Sequence, residues 1–330
     1  MDSLTQIAIG IATVEALAGK QLKNRSFLYG AVLGTLPDLD IWLGKLFPYE
    51  MELAFHRSLT HSLLGWILLS PIIAWIIRHW NTELSFKKWS IIVFAAFLTH
   101  TAIDLFTAWG VQLLFPLTHR FSFKSIAVVD PVYTLPWIIG LFLVFRTSNA
   151  DKRLKILRIS FILSSLYLLL GLGIKRHVST QVEKQLTNLQ YIDYTVKPTM
   201  GNTLLWSVHV KANDHYLIGD FSILHPKKME WKRYDFDQSV HEQWLRYAPV
   251  QTLESVSEGW FIIEEKSPDK AVFNDLRFGV IEREQQFVFA YSLVNEKETT
   301  IVNPLPKNLQ DGKQAMRSIW NRINGRPAQR

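Results

Sequence analysis

This sequence predicts a polytopic α-helical membrane domain of about six membrane segments followed by a soluble α+β domain. Three observations carry that expectation. The 330 residues are 48% hydrophobic, with 12 Trp and 20 Phe, yet the mean hydropathy is only +0.07, so two unlike kinds of segment are being averaged. Up to about residue 174 apolar runs alternate with short polar loops, whereas charges, Asn and Gln are spread throughout the chain from Lys175 onward. Ionisable residues of the first part gather at the edges of its apolar runs. The expected division is 1–174, membrane-embedded, and 175–330, an extracytoplasmic α+β domain.

A helix needs about 20 predominantly apolar residues to cross a bilayer. The clearest runs are 59–77, 89–106, 132–145 and 156–174. Two weaker ones precede them: 4–19 carries Glu15, and 27–43 is interrupted by Pro37, Asp38 and Asp40, so both are open to being partial or re-entrant. A cleavable signal peptide is not expected, because Asp2 stands where a basic region belongs and no small-residue cleavage site follows.

Orientation follows from Lys and Arg in the short loops. If all six runs cross, Lys20, Lys23, Arg25, Arg78, Lys87, Lys88, Arg146, Lys152, Arg153, Lys155 and Arg158 share one side. The other side receives only Lys45, Arg57, Arg120, Lys124, Lys175 and Arg176. The first side is then cytoplasmic, and the N-terminus, the 37–62 stretch and the C-terminal domain face outward, in a multi-pass membrane protein. Net charge is +5 over residues 1–174 and +2 beyond, so the high pI reflects basic loops, and no nucleic-acid partner is expected. The absence of cysteine excludes disulfides and thiolate metal sites.

Beyond Lys175, residues 177–193 read as a connecting helix. Segments 203–211, 216–224, 260–264, 272–278 and 286–293 are rich in Val, Ile, Phe, Tyr and Trp with partial alternation, as half-buried strands are, and 313–323 reads as a closing helix.

The residues able to do chemistry lie in the first part. In an extended Asp38-Leu39-Asp40 both carboxylates point the same way and can grip one cation; the plain alternative is an interfacial turn. His56 and His61 frame "HRSLTH", with Ser58 or Thr60 expected to cap the following helix. His100 and Asp104 are spaced i, i+4 and so share a helix face, either as ligands or as a private packing pair. Asp130 precedes Pro131 where a helix cap belongs. Asp2, Gln6, Glu15 and His119 are weaker candidates. The charge asymmetry, counted without reference to these residues, sends Asp38, Asp40, His56, His61, His100, Asp104 and Asp130 to one membrane face. A mixed His and carboxylate set without thiolate suits Zn²⁺, Mn²⁺ or Fe²⁺, one ion or two, with Zn²⁺ or Mn²⁺ preferred, and such ions support hydrolysis.

The stretches "MDSLTQ", "GTLPDLD", "HRSLTHS", "THTAIDLFTAWG", "FPLTHRFSF" and "VDPVY" resemble successive motifs of the bacterial and archaeal family of predicted inner-membrane, metal-dependent hydrolases, one branch of which is under LexA/SOS control. The resemblance covers most of residues 1–174, and "PTMGNTLLW" and "FNDLRFG" resemble the C-terminal domain of a long form. Many members have His where this chain has Gln6. Residues and resemblance together imply a metal-dependent hydrolase at the outer membrane–water interface, with a lipid or phosphoester substrate and membrane lipids as partners. Asp38, Asp40, His56, His61, His100 and Asp104 are the expected ligands, and Asp130 or Asp104 the catalytic carboxylate. The alternatives are a non-catalytic, metal-stabilised membrane scaffold and an ion or solute transporter. Against the transporter, "ILLSPIIAWII" and "WSIIVFAAF" are broken only by Ser70, Pro71 and Ser90.

Overall fold

The computed structural model describes residues 1–281, 286–296, 299–306 and 312–326. Two compact units emerge, one of Met1–Trp42, Phe55–Ile174 and Met200–Asn202, the other of Leu43–Ala54, Lys175–Thr199 and Thr203–Arg330.

The first unit is helical. Helix α1 (Ser3–Leu22) starts at Asp2, whose side chain accepts the Thr5 N–H at 3.0 Å. Helix α2 (Arg25–Thr35) packs against it at a backbone distance only glycine permits: a Cβ on Gly34 would lie 2.5 Å from the Gln6 carbonyl oxygen, and one on Gly10 would lie 2.3 Å from that of Gly30. Beyond Thr35 the chain tightens into a 3₁₀ turn, Leu36–Leu39, with Pro37 in its first positions, and continues as α3 (Asp40–Gly44). Short helix α4 (Tyr49–Phe55), which belongs to the second unit but for its last residue, and a second 3₁₀ turn, Leu59–His61, lead into α5 (Leu63–Trp80). The cap of α5 is Ser62, accepting the Gly65 N–H at 3.0 Å, rather than Ser58 or Thr60. Helix α6 (Phe86–Asp104) packs on α5, and Trp89, Phe97, Val14 and Trp66 are among the residues that fill the core between these helices and α1. Helices α7 (Pro131–Phe145) and α8 (Ala150–Leu186) follow.

The expectation of about six membrane segments is corrected here. Among the described residues only α5 and α8 are long and apolar enough to cross a bilayer, with 22% and 28% of their best windows buried in the protein. The physical reasons are local. Helix α2 has 11 residues before Pro37 and the 3₁₀ turn end it, and α7 is apolar but only 15 residues long. Helix α1 carries the buried polar residues Gln6 and Glu15, and α6 carries Lys87, Lys88, His100 and Asp104. On α5 and α8 the side chains of Ile67, Ile72, Trp75, Phe161, Leu166 and Leu169 are each more than half exposed, as lipid-facing residues are.

In the second unit, β1 (Asp193–Pro198), β2 (Leu205–Lys211), β3 (His215–Ser222) and β4 (Lys232–Asp235) form one antiparallel sheet in chain order. Helices α9 (Gln238–Trp244) and α10 (Ala248–Val256) precede a second antiparallel meander of β5 (Phe261–Ser267), β6 (Lys270–Ile281), β7 (Gln286–Glu296) and β8 (Thr299–Pro304). Trp244, Val250, Phe261, Phe273, Tyr291 and Leu293 make its main core. Helix α11 (Gly312–Ile323) closes the chain. Five strands and this helix match the sequence reading closely; β1, β4 and β8 were not anticipated, and the expected connecting helix is the continuation of α8 to Leu186.

Candidate metal centre

The 3₁₀ turn at Pro37 rotates Asp38 and Asp40 away from one another, so the expected extended Asp-Leu-Asp with parallel carboxylates does not form. Asp38 turns toward the end of α6 and the turn before α5, where His61, His100 and Asp104 are 0%, 1% and 0% exposed. One donor atom from each of these four residues lies within 4.8 Å of every other. The two histidine Nε2 atoms are 3.2 Å apart. His61 Nε2 is 3.4 Å from both Asp38 Oδ1 and Asp104 Oδ2; His100 Nε2 is 3.4 Å from the first and 3.6 Å from the second. Neither carboxylate oxygen, though buried, receives a hydrogen bond of good geometry.

The protons on both rings follow from the other ring nitrogens. His100 Nδ1 is 2.8 Å from the Gly34 carbonyl oxygen, which only accepts, so Nδ1 carries a proton and donates it. Thr60 Oγ1 donates to Asp40 Oδ2 at 2.7 Å, and its proton being used, it accepts from His61 Nδ1 at 2.9 Å. Both rings, if neutral, therefore present bare Nε2 lone pairs to one another and to two carboxylates. Such a cluster is repulsive without a positive charge at its centre. Burial disfavours charge on His61, but the neighbouring carboxylates of Asp104 and Asp38 outweigh it and raise its pKa. Burial likewise opposes ionisation of Asp38, and His100 and His61 overcome it to hold this carboxyl well below the usual range.

A tetrahedral ion with bonds of about 2.1 Å requires donor atoms about 3.4 Å apart. The five separations above lie between 3.2 and 3.6 Å. The donor set therefore fits a divalent metal of the zinc type.

The surroundings hold these four in place. Asp104 Oδ1 faces the Met1 α-amino group, Gln6 Nε2 at 3.1 Å and Arg57 Nη2 at 3.3 Å, which leaves Oδ2 for the imidazoles. Arg57 is 4% exposed with a φ of +63°, a strained value for a side chain of its size, and its Nη1 lies 3.3 Å from Thr107 Oγ1. Asp40 and His56, both expected among the ligands, pair with one another at 2.8 Å; Asp40 also accepts the Arg57 N–H, and its nearest approach to the four is 3.7 Å, to His61 Nδ1. Asp130 is not brought into the group: its carboxylate accepts from the Val132 and Tyr133 N–H groups and from the Tyr167 hydroxyl, as a helix cap does. Asp2 caps α1, Glu15 pairs with Arg153 at 2.7 Å, and the His119 ring packs on Phe121. Thr60 was expected only as a helix cap, and Arg57 and the Gly34 carbonyl were not singled out as parts of the site; the two side chains lie inside "HRSLTH", and a backbone carbonyl leaves no signal at all.

Residues 1–178, more than half of the chain, match the family described as YdjM inner membrane protein. The chain belongs to the YdjM inner membrane protein family. The match spans all four converging residues, α5 and most of α8, and membrane association follows from it. Among curated proteins, the uncharacterized protein YfhP of Bacillus subtilis (strain 168) is 22% identical over 236 residues, 66% of this chain and 68% of its own. No solved structure matches.

Proposed function

We propose that this YdjM-family protein is a membrane-bound, metal-dependent hydrolase whose ion is held by Asp38, His61, His100 and Asp104. The observation that carries the reading is the convergence of four donor atoms, 3.2 to 3.6 Å apart in the pairs above, with two protonated Nδ1 atoms turned outward. A divalent ion there, Zn²⁺ or Mn²⁺ by its donors, supplies Lewis-acid polarisation of a carbonyl or phosphoryl oxygen. Asp40 and Thr60 fix the His61 tautomer, Gly34 fixes that of His100, and Arg57 balances the charge of Asp104. A lipid or phosphoester substrate fits a site that closes the loop before α5, at the end of an apolar run. Basic residues around the end of α5 (Arg78, Lys87, Lys88) and the start of α8 (Lys152, Arg153, Lys155, Arg158) support a cytoplasmic position for those ends, which puts the C-terminal sheets, beyond α8, outside.

The test is elemental analysis of purified protein beside His61→Ala and Asp38→Ala, then a screen of lipid and phosphoester substrates with the metal-loaded form. Metal in wild type, its loss in both variants and hydrolysis lost with it support the reading. Stoichiometric metal in His61→Ala overturns the site, and metal without turnover of any substrate class leaves a structural ion and overturns the hydrolase.

A further inference from the structure

Helix α11, "GKQAMRSIWNRI", has no part in the metal centre and contains no acidic residue. Its inner face is already satisfied. Ile323 is 4% exposed, its carbonyl accepts from Ser222 Oγ at 2.6 Å, and Arg322 pairs with Asp220 at 2.7 Å, so the last turn is tied to β3. Ala315 and Ile319, on the same side, are partly covered.

The outer face is different. Met316 is 73% exposed and Trp320, one turn later, 62% exposed, and Lys313 and Arg317 are exposed beside them. At about 100° per residue these four occupy one arc of roughly 100°. A single exposed apolar residue is ordinary. An aligned Met and Trp flanked by two cations, on a helix whose inner face is already packed, have the composition of a segment lying in a lipid headgroup layer. There the indole sits among the headgroups, the thioether reaches the acyl boundary and the cations meet lipid phosphates.

We propose that the outer face of α11, formed by Met316, Trp320, Lys313 and Arg317, is a surface anchor for a bilayer containing anionic phospholipid. Charge complementarity selects this occupant: Arg317 is exposed on the arc between Met316 and Trp320, and the helix contains no acidic residue. The chain's own family is one of inner membrane proteins, so such a surface is at hand. This anchor is separate from the metal site and does not depend on hydrolase activity.

The chain has no cysteine, so Met316→Cys carries one unique thiol for an environment-sensitive bimane label. The labelled full-length protein is reconstituted in phosphatidylcholine vesicles with and without phosphatidylglycerol, both doped with headgroup-level nitroxide lipid. Gln314→Cys, exposed on the polar side of the helix, is the control. The anchor predicts a blue shift and nitroxide quenching at 316 but not at 314, strongest with phosphatidylglycerol, reduced by salt, and lost when Lys313→Glu and Arg317→Glu are added. Quenching at 316 no greater than at 314 in phosphatidylglycerol vesicles overturns it. So does a blue shift at 316 that is indifferent to lipid charge and salt but grows with protein concentration, which marks a protein partner or a second copy. A Trp320→Cys label, read the same way, guards against a local defect at 316.

Discussion

At the residue scale the site turns on one inference, that hydrogen bonds to Nδ1 decide what Nε2 offers. His61 reaches Asp40 only through the Thr60 hydroxyl, so Thr60→Val should leave the ring in place but release its tautomer. Losing a hydrogen bond that orients a ligand weakens metal binding by about 10- to 100-fold, and loss of a ligand, as in His61→Ala or His100→Ala, by more. Competition with a chromogenic chelator measures both, and a Thr60→Val affinity equal to wild type would remove Asp40 and Thr60 from the site. A packing pair makes another forecast for His100 and Asp104: His100→Ala would destabilise the helices while His61→Ala kept its metal. A second histidine gives a pH prediction in the sheet unit. His241 is 8% exposed between the rings of Phe236 and Phe261, its Nε2 accepts the Ile263 N–H at 3.0 Å, and burial, helped by Lys211, pushes its pKa from 6.5 down to about 4. The unfolded chain therefore takes up the proton first. Stability from this group is full above pH 6.5 and falls as pH drops toward 4. Hydrogen exchange at the Phe273 amide, corrected for intrinsic rates, should show protection declining through that window in wild type and holding flatter in His241→Phe.

At the scale of elements, the tight crossing of α1 and α2 is the structural condition for the centre. Gly34 supplies the carbonyl that orients His100, and its missing Cβ lets α1 bring Gln6 to Asp104. Gly34→Ala places a methyl group against the Gln6 backbone, where no flexible side chain can yield. We expect a cost of about 1–3 kcal/mol, as for other overpacked contacts, together with weaker metal binding. Gly173→Ala, with nothing within 4 Å of the added Cβ, is the matched control for a glycine-to-alanine change. Equal thermal midpoints and equal metal content in the two variants would show that the crossing does not govern the site. The Pro37 turn belongs to the same scale. By replacing an extended strand with a 3₁₀ turn it separates the roles of Asp38 and Asp40, one facing the imidazoles and the other the hydroxyl behind His61.

At the scale of the whole molecule, two helices among the described residues, rather than six segments, meet the requirement of length and composition for crossing a bilayer. The proposed orientation then predicts that a reporter fused after the last residue is active outside the cytoplasm, and that one inserted at Ser148, between α7 and α8, is active inside it. A cytoplasmic signal from the C-terminal fusion would reverse the proposed orientation.

What the sequence determined by itself was of two kinds. Long apolar runs marked α5, α6 and most of the first half of α8, residues 313–323 read as a helix, and partial alternation marked five of the eight described strands, because each of these buries one face through its own residues. Spacing put His100 and Asp104 on one face of α6, and the residue types named Asp38 and His61 as their partners in a metal chemistry. Short edge strands such as β4, with four residues and almost no burial, carry no such pattern and were invisible. Glu15 and Pro37 already left the two early runs open to being partial, but a window of apolar residues does not reveal that the chain tightens into a 3₁₀ turn at Pro37 or that Glu15 is paired with Arg153 from a distant helix. Only the tertiary structure decided which of the seven candidate side chains meet. Asp40 and His56 are sequence neighbours of ligand candidates, and Asp130 stands at the mouth of another helix. Yet the donor atoms that converge to within 4.8 Å come from a 3₁₀ turn, a helix entry and a helix end separated by up to 66 residues. Such convergence depends on the close approach of α1 and α2 and on a carbonyl and a hydroxyl turned toward two rings, interactions that residue order does not encode locally.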